Sequence, residues 1–166
     1  MATDSRPHPG WTRCGAGCAI GRPTTSLNAY QALLPDVELL PAERKRLWVY
    51  YRLWPNVAFD VYPDQVDFMQ WIPLSPTETL IREIAYVLPD ARREMKAARY
   101  LNWRINRRVN AEDTELVARV QQGMASRWFE PGPLSETEAC LRGFARRLRA
   151  LIPEARLRHP PADWST

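Results

Sequence analysis

The stretch from residue 47 to residue 88 constrains the fold of this 166-residue chain more than any other. Residues 47–53, LWVYYRL, are aromatic and β-branched, a composition suited to a pleated, half-buried surface. Pro55-Asn56 interrupts them, residues 57–62 (VAFDVY) repeat the composition, and Pro63-Asp64 makes a turn. Residues 65–73 alternate, with Val66, Phe68, Gln70 and Ile72 on one side and Asp67, Met69 and Trp71 on the other. Residues 77–88 alternate again, setting Thr79, Ile81, Glu83, Ala85 and Val87 against Leu80, Arg82, Ile84, Tyr86 and Leu88. A period of two means strand. Three to four consecutive strands joined by Pro-bearing turns predict an antiparallel meander. Both faces of the last strands carry apolar side chains, so each face needs cover.

That cover follows in sequence. Pro89-Asp90 ends the last strand, and residues 91–109 take helical spacing through Met95, Ala98, Leu101, Ile105 and Val109, with Tyr100 and Trp103 widening the apolar face. A separate helix is expected from Asn110 to about Arg127. After Pro131, Gly132 and Pro133, Ser135 opens a last helix through the capping box S-E-T-E, whose reciprocal partner is Glu138. Leu141, Phe144, Leu148 and Leu151 or Ile152 form its apolar stripe, and Pro153 stops it. Strands followed by helices define an α+β fold. Upstream, an apolar segment between Leu27 and Leu40 is broken by Pro35, and PAERKRL gives a brief helix start or a charged loop. Residues 1–28 are rich in Pro, Gly, Arg, Ser and Thr without an apolar period, and are expected to be an unstructured leader. The domain is expected to span 29–157, and 158–166 to be a frayed tail.

Composition excludes several classes. The net charge of +4 is small and spread out. Arg142, Arg146, Arg147 and Arg149 sit mostly on the polar side of the last helix, a solvated face rather than a nucleic-acid footprint. Three cysteines make no disulfide scaffold, and Cys14, Cys18 and His8 lack a second ligand pair for zinc. No apolar run approaches the roughly 20 residues of a membrane span, and the N-terminus has no signal-peptide core. A cytoplasmic location is expected.

The helix expected at Asn110 carries the most informative acid. Asn110 reads as its N-cap and Asp113 as the reciprocal capping partner, while Val117, Val120 and Met124 follow Asp113 at i+4, i+7 and i+11. Asp113 is thus expected at the buried edge of an amphipathic helix. It is either a capping carboxylate facing the helix dipole or a metal ligand, since an inward carboxylate needs a proton, a partner or a cation. Spacing leaves both open. Asp60, Asp64 and Asp67 cluster near turns, where acids are usually solvated. Trp54, Phe59, Phe68, Trp71 and Tyr86 serve either as core or as the lining of an apolar pocket between meander and helix. There is no Gly-rich phosphate loop, no G-x-S-x-G elbow and no histidine placed for a triad.

Taken together, YYRLWPNVAFDVYPDQVDFMQWIPLSPTETLIREIAYVLPD, NAEDTELVARVQQGMAS and GPLSETE resemble the C-terminal part of the catalytic (alpha) subunit of Rieske-type ring-hydroxylating oxygenases, from about Tyr30 to Leu157. The resemblance implies a helix-grip, START-like domain, here partial. It also implies a mononuclear non-haem Fe(2+) held by two histidines and one carboxylate, the latter falling on Asp113. A 2Fe-2S cluster accompanies that iron in intact relatives, which use dioxygen to hydroxylate or demethylate organic substrates, many of them aromatic. The C-x-H and C-x-x-H cluster motifs and the H-x-x-x-x-H pair do not occur here, and the chain holds two histidines, His8 and His159. The expectation is therefore a truncated catalytic domain, inactive alone, with Asp113 as one ligand of an incomplete iron site and the five aromatics lining the substrate pocket. It would work as an oligomer or with an upstream catalytic half supplied in trans. The other expectation is a non-catalytic helix-grip module that binds an apolar ligand or a partner chain.

Overall fold

The computed structural model describes the backbone of residues 11–17 and residues 25–157. Its two compact units are Met1–Glu130 and Pro131–Thr166. The first holds a five-stranded antiparallel sheet in the order β1-β2-β3-β4-β5, an up-and-down meander with β1 (Trp11–Gly17), β2 (Trp48–Leu53), β3 (Val57–Val61), β4 (Val66–Pro73) and β5 (Thr79–Tyr86). Helix α1 (Thr25–Leu33) joins β1 to β2, and helix α2 (Arg93–Met124) follows the sheet. The α+β class is present, and the three to four strands expected between residues 47 and 88 are four, β2 to β5.

The alternation in β4 and β5 matches the register. Asp60 opposes Asp67, Phe59 opposes Phe68, and Met69 opposes Glu83. One sheet face therefore carries Tyr50, Asp60, Asp67, Met69, Trp71 and Glu83, and the other Tyr51, Phe59, Phe68, Ile84 and Tyr86. The helices cover the first face. Leu27, Tyr30 and Leu34 from α1 and its end, Ala98 from α2, and Trp48 and Tyr62 from the sheet form the core, with Tyr50, Leu101 and Ile105 packed against it. Trp48 meets Tyr30 and Tyr62 edge-on at centroid distances of 5.6 and 4.9 Å, a geometry that sets ring edges against ring faces.

Four expectations are corrected. First, residues 1–28 are not uniformly unstructured. Trp11–Gly17 pair with β2 around an irregularity at Arg13/Gly15, and α1 begins at Thr25. The strand is held by β2 rather than by an apolar period of its own. Second, the two helices expected on either side of Asn110 are one, of 32 residues. No Pro or Gly interrupts residues 93–122, and the Arg108–Glu112 ion pair, 2.9 Å, bridges the expected break. Third, Tyr100 and Trp103 lie on the exposed side of α2, their rings 5.8 Å apart, with the Arg107 guanidinium over Trp103. Fourth, Val117, Val120 and Met124 are 65%, 49% and 50% exposed, so the second half of α2 carries its apolar stripe in the open.

In the second unit the capping box forms as expected. The Ser135 backbone N–H donates to Glu138 Oε2 at 2.6 Å, and the Ser135 side chain accepts from the Glu138 backbone. A 3-10 turn (Glu136–Glu138) leads into α3 (Ala139–Leu151). Phe144 and Leu148 are half-buried, whereas Leu141, Leu151 and Ile152 of the expected stripe are exposed. Ser135→Ala is expected to cost about 1 kcal/mol, seen as lower helicity of this unit by circular dichroism and faster amide exchange at Ala139 and Cys140.

Candidate functional site

The helix-covered sheet face is acidic where α2 crosses it, and α2 meets it with amides. Asn102, Asn106 and Asn110 recur at i, i+4 and i+8, so they form one ladder along the helix. Each donates to a different carboxylate. Asn102 Nδ2 reaches Asp64 Oδ1 at 3.3 Å, Asn106 Nδ2 reaches Asp67 Oδ2 at 3.3 Å, and Asn110 Nδ2 reaches Glu83 Oε2 at 3.1 Å. Asn110 is thus no N-cap. Its side chain crosses to β5, and its carbonyl accepts from the Thr114 hydroxyl at 2.6 Å.

Asp64 lies in the β3–β4 turn and is 4% exposed. The Tyr30 hydroxyl donates to its Oδ1 at 2.6 Å, and Arg99 Nε donates to its backbone carbonyl at 3.2 Å. Asp67 is 3% exposed and accepts from Gln65 Nε2 at 2.7 Å. Asp60, half-buried on β3, accepts from the Tyr62 hydroxyl at 3.4 Å, and Asn106 Nδ2 donates to that hydroxyl at 3.1 Å. The expectation of solvated turn acids is therefore overturned. Pro63-Asp64 does make a turn, but α1 and α2 close over it.

Burial shifts Asp60, Asp64 and Asp67 toward the neutral form. The Asp67 carboxyl rises to about 7, first through burial and then through the charges of Glu83, Asp60 and Asp64, while the Gln65 hydrogen bond opposes the rise. Asp60 rises to about 6, mainly by burial, with Tyr62 opposing and Glu83 adding. Asp64 is also raised by burial, against the hydrogen bond from Tyr30. Tyr50, opposite Asp60 in the register, is pushed up to about 12 by burial and the Asp60 charge.

Two cavities flank this face. One of about 660 Å³ lies between residues 36–40, the β3–β4 turn, the end of β5 and the start of α2, with Val61, Tyr86, Leu88 and Met95 in its wall. The other, about 340 Å³, is bounded by Asp67, Glu83, Trp103, Asn106, Arg107 and Asn110.

Of the five expected pocket aromatics, Tyr86 alone borders a described cavity. Phe59 and Phe68 pack edge to face at 5.5 Å on the sheet face away from the helices. Trp71 stands on the helix-covered face, and half-buried Trp54 sits in the β2–β3 turn before a cis Pro55. The structure does not bring the five together. Asp113 continues the ladder one turn past Asn110, but it is exposed, not at a buried edge. Among the described residues no three His, Cys, Asp or Glu side chains are grouped to hold a metal ion, and His8 and His159 lie outside those residues. The described donor set does not fit a complete iron site.

Sheet, overlying helix and polar seam together define an α+β domain of the antiparallel-meander kind. Within that class, the family model for the ring hydroxylating alpha subunit (catalytic domain) matches residues 6–154, and the chain belongs to that family. It is accordingly related to the Rieske-type oxygenases, whose intact members hold non-haem iron and a Rieske cluster. No curated protein and no solved structure matches the chain. No helix among the described residues is long and apolar enough to cross a membrane.

Proposed function

We propose that this chain serves as the catalytic-domain part of a ring-hydroxylating oxygenase acting on a small organic, aromatic substrate. In this reading Asp113 is the carboxylate ligand of a non-haem Fe(2+). The two histidines and the 2Fe-2S cluster come from a second polypeptide, with which the chain assembles in the cytoplasm. The family match over residues 6–154 carries the reading. The ladder Asn102–Asn106–Asn110 supports it in one respect: it fixes the rotation of α2 up to the turn before Asp113, whose exposed side chain is open to a second polypeptide. Bound iron would supply oxygen activation. The chain's own part is to hold α2 in register and to offer apolar surface to the substrate, Tyr86 included.

Alone, the purified chain is expected to retain well under one equivalent of Fe(2+) after anaerobic loading and desalting, since a single carboxylate holds this ion weakly. Turnover is expected only when a polypeptide carrying the H-x-x-x-x-H and Rieske motifs is added with a reductase. Asp113→Ala is then expected to abolish turnover while leaving the melting curve unchanged, because Asp113 is exposed. One equivalent of tightly held iron, with substrate oxidised by the chain alone, would sink this reading.

The 660 Å³ cavity favours a second reading, a carrier of an apolar ligand. A monomer that retains a fluorescent hydrophobe without metal, and gains no activity from any added polypeptide, would favour the carrier.

A further inference from the structure

We propose that Asp60 and Asp67 form a proton-operated latch for α2: while the opposed pair holds one proton, Asn106 stays seated on β3 and β4, and loss of that proton frees the helix turn around Asn106. The register sets the two carboxyl groups directly opposite on neighbouring strands, on the face that α2 covers. Directly opposed side chains have Cβ atoms about 5 Å apart. Their polar partners are neutral: the Tyr62 hydroxyl on Asp60, and the amides of Gln65 and Asn106 on Asp67. Among the described residues neither carboxyl forms an ion pair.

The surrounding charges favour retention of the proton. Tyr50 and Arg52 share the face from β2, Asp64 lies in the turn, Glu83 faces from β5, Tyr30 from α1, and Arg99 and Arg107 from α2. Arg99 is spent on the backbone carbonyls of Asp64 and Leu88, and Arg107 lies over Trp103. Two like charges this close and this buried do not both ionise without new donors, so the pair titrates as one unit. Burial carries that titration into the neutral range.

Asn106 is the element that yields. Its single NH2 group serves three acceptors: the Tyr62 hydroxyl, Asp67 Oδ2 and Asn102 Oδ1. The Asn106 amide therefore has no further hydrogen to give a doubly ionised pair. Asp67 is only 3% exposed while this turn of α2 is seated, so further donors come from water in the 340 Å³ cavity beside Asp67 and Asn106 as the turn loosens. The anchors at Asn102–Asp64 and Asn110–Glu83 stay, so the motion is local. The latch requires nothing of Asp113.

Amide hydrogen exchange on the full chain, corrected for the base catalysis of exchange itself, tests it at about pH 5.5 and about pH 8. Protection at residues 104–110 is expected to fall at least tenfold relative to β2 amides, about what one pKa unit of differential proton binding carries. In Asp67→Asn that fall is expected to vanish. Equal protection at both pH values in the wild type, or an undiminished fall in Asp67→Asn, overturns the latch. Should Asp67→Asn not fold, carboxyl carbon-13 titration of the wild type decides. One of the two groups titrating between those pH values supports the latch, and both titrating below about pH 5 removes it.

Discussion

Asp67→Asn is expected to make the chain more stable than the wild type at pH 8, with the advantage lost near pH 5. The Asp67 carboxyl lies at about 7 in the folded chain, against 3.8 for the free side chain. Between those values the folded state keeps a proton that the unfolded state has released, so wild-type stability falls as pH rises. Its contribution is complete below the unfolded value and is lost through about pH 7. Asparagine does not ionise and removes that slope. The pKa difference corresponds to at most about 4 kcal/mol, and coupling to Asp60 brings the expected gain at pH 8 to about 2 kcal/mol. Near pH 5 the variant instead loses up to about 1 kcal/mol, since Oδ2, which accepts from Asn106, is replaced by a donor. Urea unfolding at several pH values checks this through the midpoints. Parallel pH profiles for the two proteins would show that Asp67 is not the group responsible.

The reason this acid went unread in the sequence is general. β2 through β5 were legible because alternation and Pro-bearing turns are local signals, and the register then followed from the turns. Asp60, Asp64 and Asp67 looked solvated because their cover is remote: Tyr30 lies 34 residues before Asp64, and Asn102 lies 38 after it. Asn110 looked like a cap for the same reason, its true partner being Glu83, 27 residues away. A local signal did exist. Three asparagines at i, i+4 and i+8 within an apolar-striped helix are costly to helix formation unless each finds a partner, and that spacing points to an acidic surface facing them. Asp113 shares a helix face with Val117, Val120 and Met124 by spacing, but all four are exposed, because spacing defines a face without saying what packs on it. The family itself was legible from the L-W-P-N and V-Q-x-G-M elements, while the placement of four aromatics on two sheet faces and of Trp54 in a turn needed coordinates.

Asp64→Ala is expected to be the most damaging single change in the seam, costing about 3–4 kcal/mol. Asp64 is where three elements meet: Tyr30 from α1, Asn102 from α2, and the turn that joins β3 to β4. Tyr30 is 1% exposed and Asn102 is fully buried, so removing the carboxylate strands a hydroxyl and an amide away from water. Each unsatisfied buried group costs about 1–3 kcal/mol, and a small cavity adds to that. Tyr30→Phe makes the contrast. It keeps the ring against Trp48 and removes one donor from a carboxyl that can hold a proton instead, so its cost is expected near 1–2 kcal/mol. In a double-mutant cycle the pair should then be strongly non-additive, with Tyr30→Phe stabilising rather than costly in the Asp64→Ala background, because it removes the stranded hydroxyl. Additive costs would mean that the 2.6 Å bond does not hold α1 to the turn, and that packing of Tyr30 on Trp48 alone seats the helix.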